Sequence, residues 1–154
     1  MVEKNLLAPC GLYCGVCAVY IAHRDGNLKF KERIVNVYEP FTKSVEDIKC
    51  EGCLAENEED IFAYCRYCSI KNCAQKKGIE GCHQCDEFPC KKIERFPMPV
   101  GKKVILRAVP FRRKHGDEKW VEEELKRYHC PECSNPLFRG AKRCNECGSP
   151  VDVD

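Results

Sequence analysis

Fifteen cysteines fall within 154 residues, and no other feature limits so strongly what this chain can fold into. They come in groups. Cys10-x3-Cys14-x2-Cys17 is followed by Cys50-x2-Cys53, Cys65-x2-Cys68-x4-Cys73 and Cys82-x2-Cys85-x4-Cys90, and then by Cys130-x2-Cys133 and Cys144-x2-Cys147. Hydrophobic residues make up 44% of the chain, but that figure counts the cysteines. Without them about a third of the residues remain to build a core, so the chain needs staples, either disulfides or metals. The segment MVEKNLLAPC has no apolar run longer than Leu6-Leu7-Ala8, and no later stretch approaches a membrane span. We therefore expect a cytoplasmic chain with no membrane partner. In a reducing compartment clustered cysteines serve as metal ligands, and an odd count cannot pair completely as disulfides.

The last two pairs carry the most specific pattern. Cys130-Pro-Glu-Cys133 and Cys144-Asn-Glu-Cys147 are separated by ten residues, the spacing of a zinc ribbon. Each C-x-x-C turn brings two thiolates to one tetrahedral centre, and two turns close the shell with no open position, which makes the site structural. Zinc is the expected ion, with rubredoxin-like iron as the alternative. A module of about 25 residues cannot fold on core burial alone, so metal binding is expected to fold it. Gly148 suits the turn after the second knuckle, and at the matching place Asn135 can supply a left-handed residue.

The other eleven cysteines do not sort so simply. C-x2-C-x4-C occurs twice, at Cys65-Cys68-Cys73 and Cys82-Cys85-Cys90, with Ala74–Lys77 and Lys91–Glu94 after them as expected helix starts. Each triplet is one thiolate short of a tetrahedral site, so ligands must be lent between groups. Eleven is also one short of three full sites. His83 is a candidate twelfth ligand, against the alternative of an exposed turn histidine. Cys10-x3-Cys14-x2-Cys17 has the spacing by which radical S-adenosylmethionine enzymes hold an iron–sulfur cluster, but a chain of this length without strand and helix alternation cannot supply their barrel. A cluster without that chemistry, with Cys50 or Cys90 as fourth ligand, stays open beside zinc.

Periodicity places helices between the cysteines. Phe30, Ile34, Val37, Tyr38 and Phe41 fall on one face of an amphipathic helix over 28–41 ending near Pro40; a shorter helix is expected from Cys17 to His23. Asp117 is placed to cap a helix whose face carries Trp120, Val121, Leu125 and Tyr128. The fold class expected is a small, metal-stabilised, mainly α protein with short β-hairpins or knuckles. Its segments are a cysteine-rich metal-binding domain over 1–97, a basic helical connector over 98–128 and a zinc ribbon over 129–154.

Pro9-Cys10-Gly11-Leu12-Tyr13-Cys14-Gly15-Val16-Cys17, Cys50-Glu51-Gly52-Cys53, Ile70-Lys71-Asn72-Cys73-Ala74, Lys77-Gly78 and Cys82-x2-Cys85-Asp86-Glu87-Phe88-Pro89-Cys90 occur in that order. In these motifs the first 95 residues or so resemble the cysteine-rich prokaryotic family called domain of unknown function 3795. Members often carry a tryptophan-bearing helix leading into a C-terminal C-x-x-C ribbon, here Trp120 to Cys147. The resemblance implies a small metal-binding protein of bacteria or archaea and assigns no reaction.

The sequence contains no Gly-rich phosphate loop, H-E-x-x-H or G-x-S-x-G, and the four histidines are scattered. Metal spacing accounts for most of the cysteines, which leaves little room for a nucleophile, and no βαβ context supports a thioredoxin reading. Charge is balanced overall at +2, yet Lys91 to Lys114 holds nine lysines and arginines against Glu94 alone. That run suits nucleic-acid phosphates, an acidic partner, or the charge of the protein's own metal–thiolate sites. The function expected is a multi-zinc, non-catalytic adaptor or regulator with a protein partner. The alternatives are an iron–sulfur redox or maturation accessory with a cluster at Cys10, Cys14 and Cys17, and a nucleic-acid-binding ribbon protein using 91–114.

Overall fold

The computed structural model describes residues 2–154. Six helices follow in order: α1 (Ala18–Arg24), α2 (Leu28–Val37), α3 (Ala63–Arg66), α4 (Ser69–Lys77), α5 (Lys91–Glu94) and α6 (Pro99–Arg127). Strand pairing among the described residues is limited to three isolated bridges, Leu7 with Tyr13, His129 with Pro136 and Arg143 with Pro150. The protein is thus mainly helical.

α2 starts where Asn27 accepts a hydrogen bond from the Phe30 amide at 3.0 Å, satisfying one of the free donors of the first turn. It ends sooner than periodicity predicts. Tyr38 leaves helical geometry at φ −106°, ψ 19°, so Phe41 lies outside the helix. Of the expected apolar face, Ile34 is buried and Phe30 and Tyr38 are half-buried, while Val37 and Phe41 are exposed. Phe41 returns to pack edge-on against Tyr64, with ring centroids 5.0 Å apart. Residues 74–77 also differ from expectation: they form the last turn of α4, which already begins at Ser69, whereas Lys91–Glu94 does form a helix.

Pro99 occupies the first turn of α6, where its missing N–H costs nothing. Helical geometry breaks at Gly116 (φ 81°, ψ 176°), so the chain from Asp117 onward runs in a new direction, in keeping with Asp117 as the start of a helix. The bend lays Trp120 edge-on to Tyr13, at 6.0 Å, and under the Arg112 guanidinium, at 4.5 Å. Trp120, Ile105, Ala108 and Val109 are fully buried. They share one core with Leu6 and Leu7 near the N-terminus, Ile93 of α5, and Leu137, Ala141 and Val151 beyond α6. Val19, Ala22, Ile34, Ile48 and Phe62 form a second, smaller core under α1 and α2.

Five of the nine cations of the basic run bond to other parts of the same chain. Arg107 forms a two-pronged pair with the buried Glu124 carboxylate, its shorter bond being 2.5 Å. Arg112 donates to Asp117 at 2.5 Å and to the Ala8 carbonyl at 3.3 Å. Arg113 donates to the carbonyls of His83, Cys82 and Cys85, Lys102 to that of Glu94, and Lys103 to that of Asp154.

Candidate metal centres

The fifteen thiols, none of them in a disulfide, gather at three places. The first lies beyond α6. Here two loops of matching design face each other. In one, the Cys130 amide donates to the Asn135 carbonyl and the Ser134 amide to the Cys130 carbonyl, both at 2.9 Å. In the other, Cys144 donates to Ser149 at 2.9 Å and Gly148 to Cys144 at 3.0 Å. Both loops need a left-handed residue at their tip. Gly148 takes it at φ 72°; in the first loop it is Ser134 (φ 62°), rather than Asn135, that does so.

These loops bring Cys130, Cys133, Cys144 and Cys147 together, with all four sulfurs within 4.8 Å of one another. The Cys130–Cys147 and Cys133–Cys144 sulfurs are each 3.6 Å apart. Four sulfurs arranged tetrahedrally at ~2.3 Å from one ion stand roughly 3.8 Å apart, so the cluster already has the spacing of a single-ion site. Hydrogen bonds from Ser149 bring the Cys147 thiol down to about 6, and the amides of Cys147 and Glu146 lower that of Cys144. The neighbouring thiols push Cys133 the other way, so the group shares its protons, and the lowered members are the ones that favour the thiolate form that binds metal.

The second place is a cavity of about 470 Å³ whose wall carries Cys10, Cys14, Cys17, Cys50, Cys53, Cys65 and Cys68. The loops reach it from four directions: the turn before α1, the Cys50–Cys53 knuckle, α3 and the start of α4. Gly52, at φ +112°, lets the knuckle close against Asn5, where a Cβ would run into the Asn5 carbonyl. Its amide points back at the Cys50 sulfur, 3.4 Å away. Burial pushes the Cys10 thiol up to about 11 and raises those of Cys14, Cys53 and Cys65. Without a bound cation these thiols stay protonated; a metal reverses that balance.

Lys71 and Arg139 temper the cavity, whose wall also carries Lys92 and Arg95. Lys71, buried on α4, donates to the carbonyls of Cys53 and Cys65 at 3.5 and 3.4 Å. Arg139, from the loop between the two C-terminal knuckles, lines the cavity and donates to the Tyr13 carbonyl at 2.5 Å. Its backbone amide donates to the Val16 carbonyl at 2.8 Å, and its charge favours the thiolates of Cys10 and Cys14 against burial. Sequence reasoning missed both residues. Lys71 lies in a quoted motif beside Cys73, which is the one signal that pointed to it.

The third place is a cavity of about 300 Å³ lined by Cys73, Cys82, Cys85 and Cys90. Cys90 thus lies on a different wall from Cys10, Cys14 and Cys17, which leaves Cys50 beside them. His83 is not among the residues lining this cavity; its Nδ1 is buried without a hydrogen-bond partner, and burial lowers its pKa. The loop from Cys82 to Cys85 is fixed to α6 by Arg113 and to the Cys10 loop by a 2.8 Å hydrogen bond from the Cys82 amide to the Pro9 carbonyl.

The family model described as a protein of unknown function (DUF3795) matches residues 6–95, more than half of the chain. The chain belongs to this family. No curated protein and no solved structure matches it. The DUF3795 region contains all eleven of the cysteines that line the two cavities, while the four-sulfur cluster stands outside it. This DUF3795 protein is therefore cysteine-rich; among its described residues one four-cysteine group is in place for a metal ion, and no helix is long and apolar enough to cross a membrane.

Proposed function

We propose that this protein is a metal–thiolate accessory protein that acts by docking to a protein partner rather than by catalysis. In this reading Cys130, Cys133, Cys144 and Cys147 hold a structural zinc that folds the C-terminal ribbon, and the eleven cysteines of the DUF3795 region bind further metal. The 3.6 Å sulfur spacing of the C-terminal group carries the zinc assignment, because it matches one tetrahedral ion and leaves no room for a larger group. With all four positions filled by thiolate, that ion has no open site for a substrate, which suits a structural role.

Elemental analysis of anaerobically purified protein tests this. At least one zinc per chain is expected, and Cys130→Ser should remove one equivalent while sparing metal bound by the DUF3795 region. Protein that binds no zinc, or a variant with unchanged zinc, refutes the assignment.

The larger cavity favours the iron–sulfur reading over zinc. Seven thiols spread around about 470 Å³ leave space among them for a multi-atom cluster, with Cys10, Cys14 and Cys17 as three ligands and Cys50 as the fourth. A brown protein absorbing near ~400 nm supports this, and a colourless protein rich in zinc refutes it.

A further inference from the structure

The eleven thiols of the DUF3795 region divide between the two cavities as seven and four, with no cysteine on both walls. The four come from three places in the fold. Cys73 is on α4, Cys82 and Cys85 flank a single tight turn, and Cys90 immediately precedes α5. Each C-x2-C-x4-C triplet looked one ligand short, and the fold resolves this for the second triplet by bringing in the last cysteine of the first.

The spacing of these four sulfurs differs from that of the C-terminal group. Among the described residues, Cys130, Cys133, Cys144 and Cys147 form the one group of three or more potential ligands lying mutually within 4.8 Å. Cys73, Cys82, Cys85 and Cys90 stand farther apart, around about 300 Å³ of space. A single tetrahedral ion draws its sulfurs together and leaves no void, whereas a four-iron, four-sulfide cube carries its thiolates on outer corners with the cube between them. The wall is also suited to such a group. Ile70, Ala74 and Phe88 supply a mostly apolar lining, and Lys91 and Lys92 face the same space. Lys77 Nζ lies 3.4 Å from the Cys85 sulfur and pairs with Glu87 as well. Four thiolates around a doubly positive cube carry a net charge of about −2, which nearby ammonium groups offset.

We propose that Cys73, Cys82, Cys85 and Cys90 hold one [4Fe–4S] cluster, each sulfur bound to one iron, in a centre separate from both the ribbon and the seven-cysteine cavity. The proposal rests on the reading of the DUF3795 region as a metal-binding domain. Loading by exchange requires no change of oxidation state. A [4Fe–4S] cluster with four small thiolate ligands gives up those ligands, the four cysteine sulfurs replace them on the irons, and the four cysteine protons leave on the displaced thiols.

The test is anaerobic titration of the full, zinc-bearing chain with that synthetic cluster, followed by counts of iron, sulfide and zinc. The double variant Cys73→Ser, Cys90→Ser should take up four fewer irons and four fewer sulfides per chain than the wild type, with zinc unchanged. Undiminished iron, or the loss of one zinc in place of four irons, overturns the proposal. Lys77→Gln keeps all four ligands and covers the case in which the double variant does not fold. It should retain its iron, and one reduction potential should become more negative, because the lost cation stabilised the extra electron and Glu87 is left unpaired. A potential that does not move places the cluster elsewhere and also overturns the proposal. Zinc absent from the ribbon, with this iron count intact, would refute the zinc assignment alone.

Discussion

Replacing Arg112 with methionine tests whether the basic run serves the interior or the surface. The side chain is 2% exposed, and methionine retains most of its stem. Three interactions are lost. The Ala8 carbonyl, buried at the foot of the Cys10 loop, loses a charged donor at 3.3 Å, worth about 1–3 kcal/mol. The guanidinium centred 4.5 Å over the Trp120 ring is desolvated, and such contacts contribute about 2 kcal/mol. The Asp117 side chain is 32% exposed, so its pair adds about 1 kcal/mol at most. The expected loss is about 4 kcal/mol, within the range of about 3–5 kcal/mol for removing one partner of a buried ion pair. Against a total stability of about 5–15 kcal/mol this is a large fraction, and it should move a urea midpoint by roughly 2 M. Trp120 is the sole tryptophan, so its fluorescence reports unfolding at the site itself, with zinc kept saturating throughout. A loss below about 1 kcal/mol would refute the reasoning, as would a double variant with Asp117→Asn whose costs simply add.

Gly52→Ala forces a side chain onto a φ of +112° and into the Asn5 carbonyl, so it should cost about 2 kcal/mol and lower Tm by several degrees; an unchanged Tm would show that the Cys50–Cys53 knuckle adjusts freely. Glu124→Gln leaves Arg107 without its full charge partner and should cost about 2–3 kcal/mol in the same urea assay, whereas replacing both residues by leucine should cost less than the single change. On DNA, the four cations of the run not engaged in the bonds described above, Lys91, Lys92, Arg95 and Lys114, limit the slope of log K against log salt to about 4; a slope near 8 would show that the whole run faces phosphate.

The C-terminal group was legible because its four cysteines come as two C-x-x-C pairs close in sequence, and two turns joined by so short a segment meet each other. A helix start was legible where one residue sets it, as at Asp117 after the break at Gly116, whereas the Asn27 cap of α2 went unread. What spacing could not reveal is how distant groups combine. Cys73 joins Cys82, Cys85 and Cys90, rather than its own neighbours Cys65 and Cys68, because α4 carries it from the wall of one cavity to the wall of the other. Likewise the basic run reads as a surface by charge alone. The internal bonds of Arg107 and Arg112 depend on the bend at Gly116, which brings Glu124 to the first and Trp120 to the second. The expected face of α2 is only partly buried for a local reason: the helix ends at Val37, and periodicity does not register that stop.

Arg139 belongs to the loop between the C-terminal knuckles, yet its side chain lies in the cavity of the seven N-terminal thiols, and its amide is tied to Val16 between Cys14 and Cys17. If a metal folds that loop, filling one site sets the charge at the other. Thermodynamic reciprocity then requires the converse: occupancy of the cavity must tighten the hold of the knuckles on their own ion. The order of loading cannot alter the final state, but a cell short of one metal would produce a chain that binds the second more weakly as well.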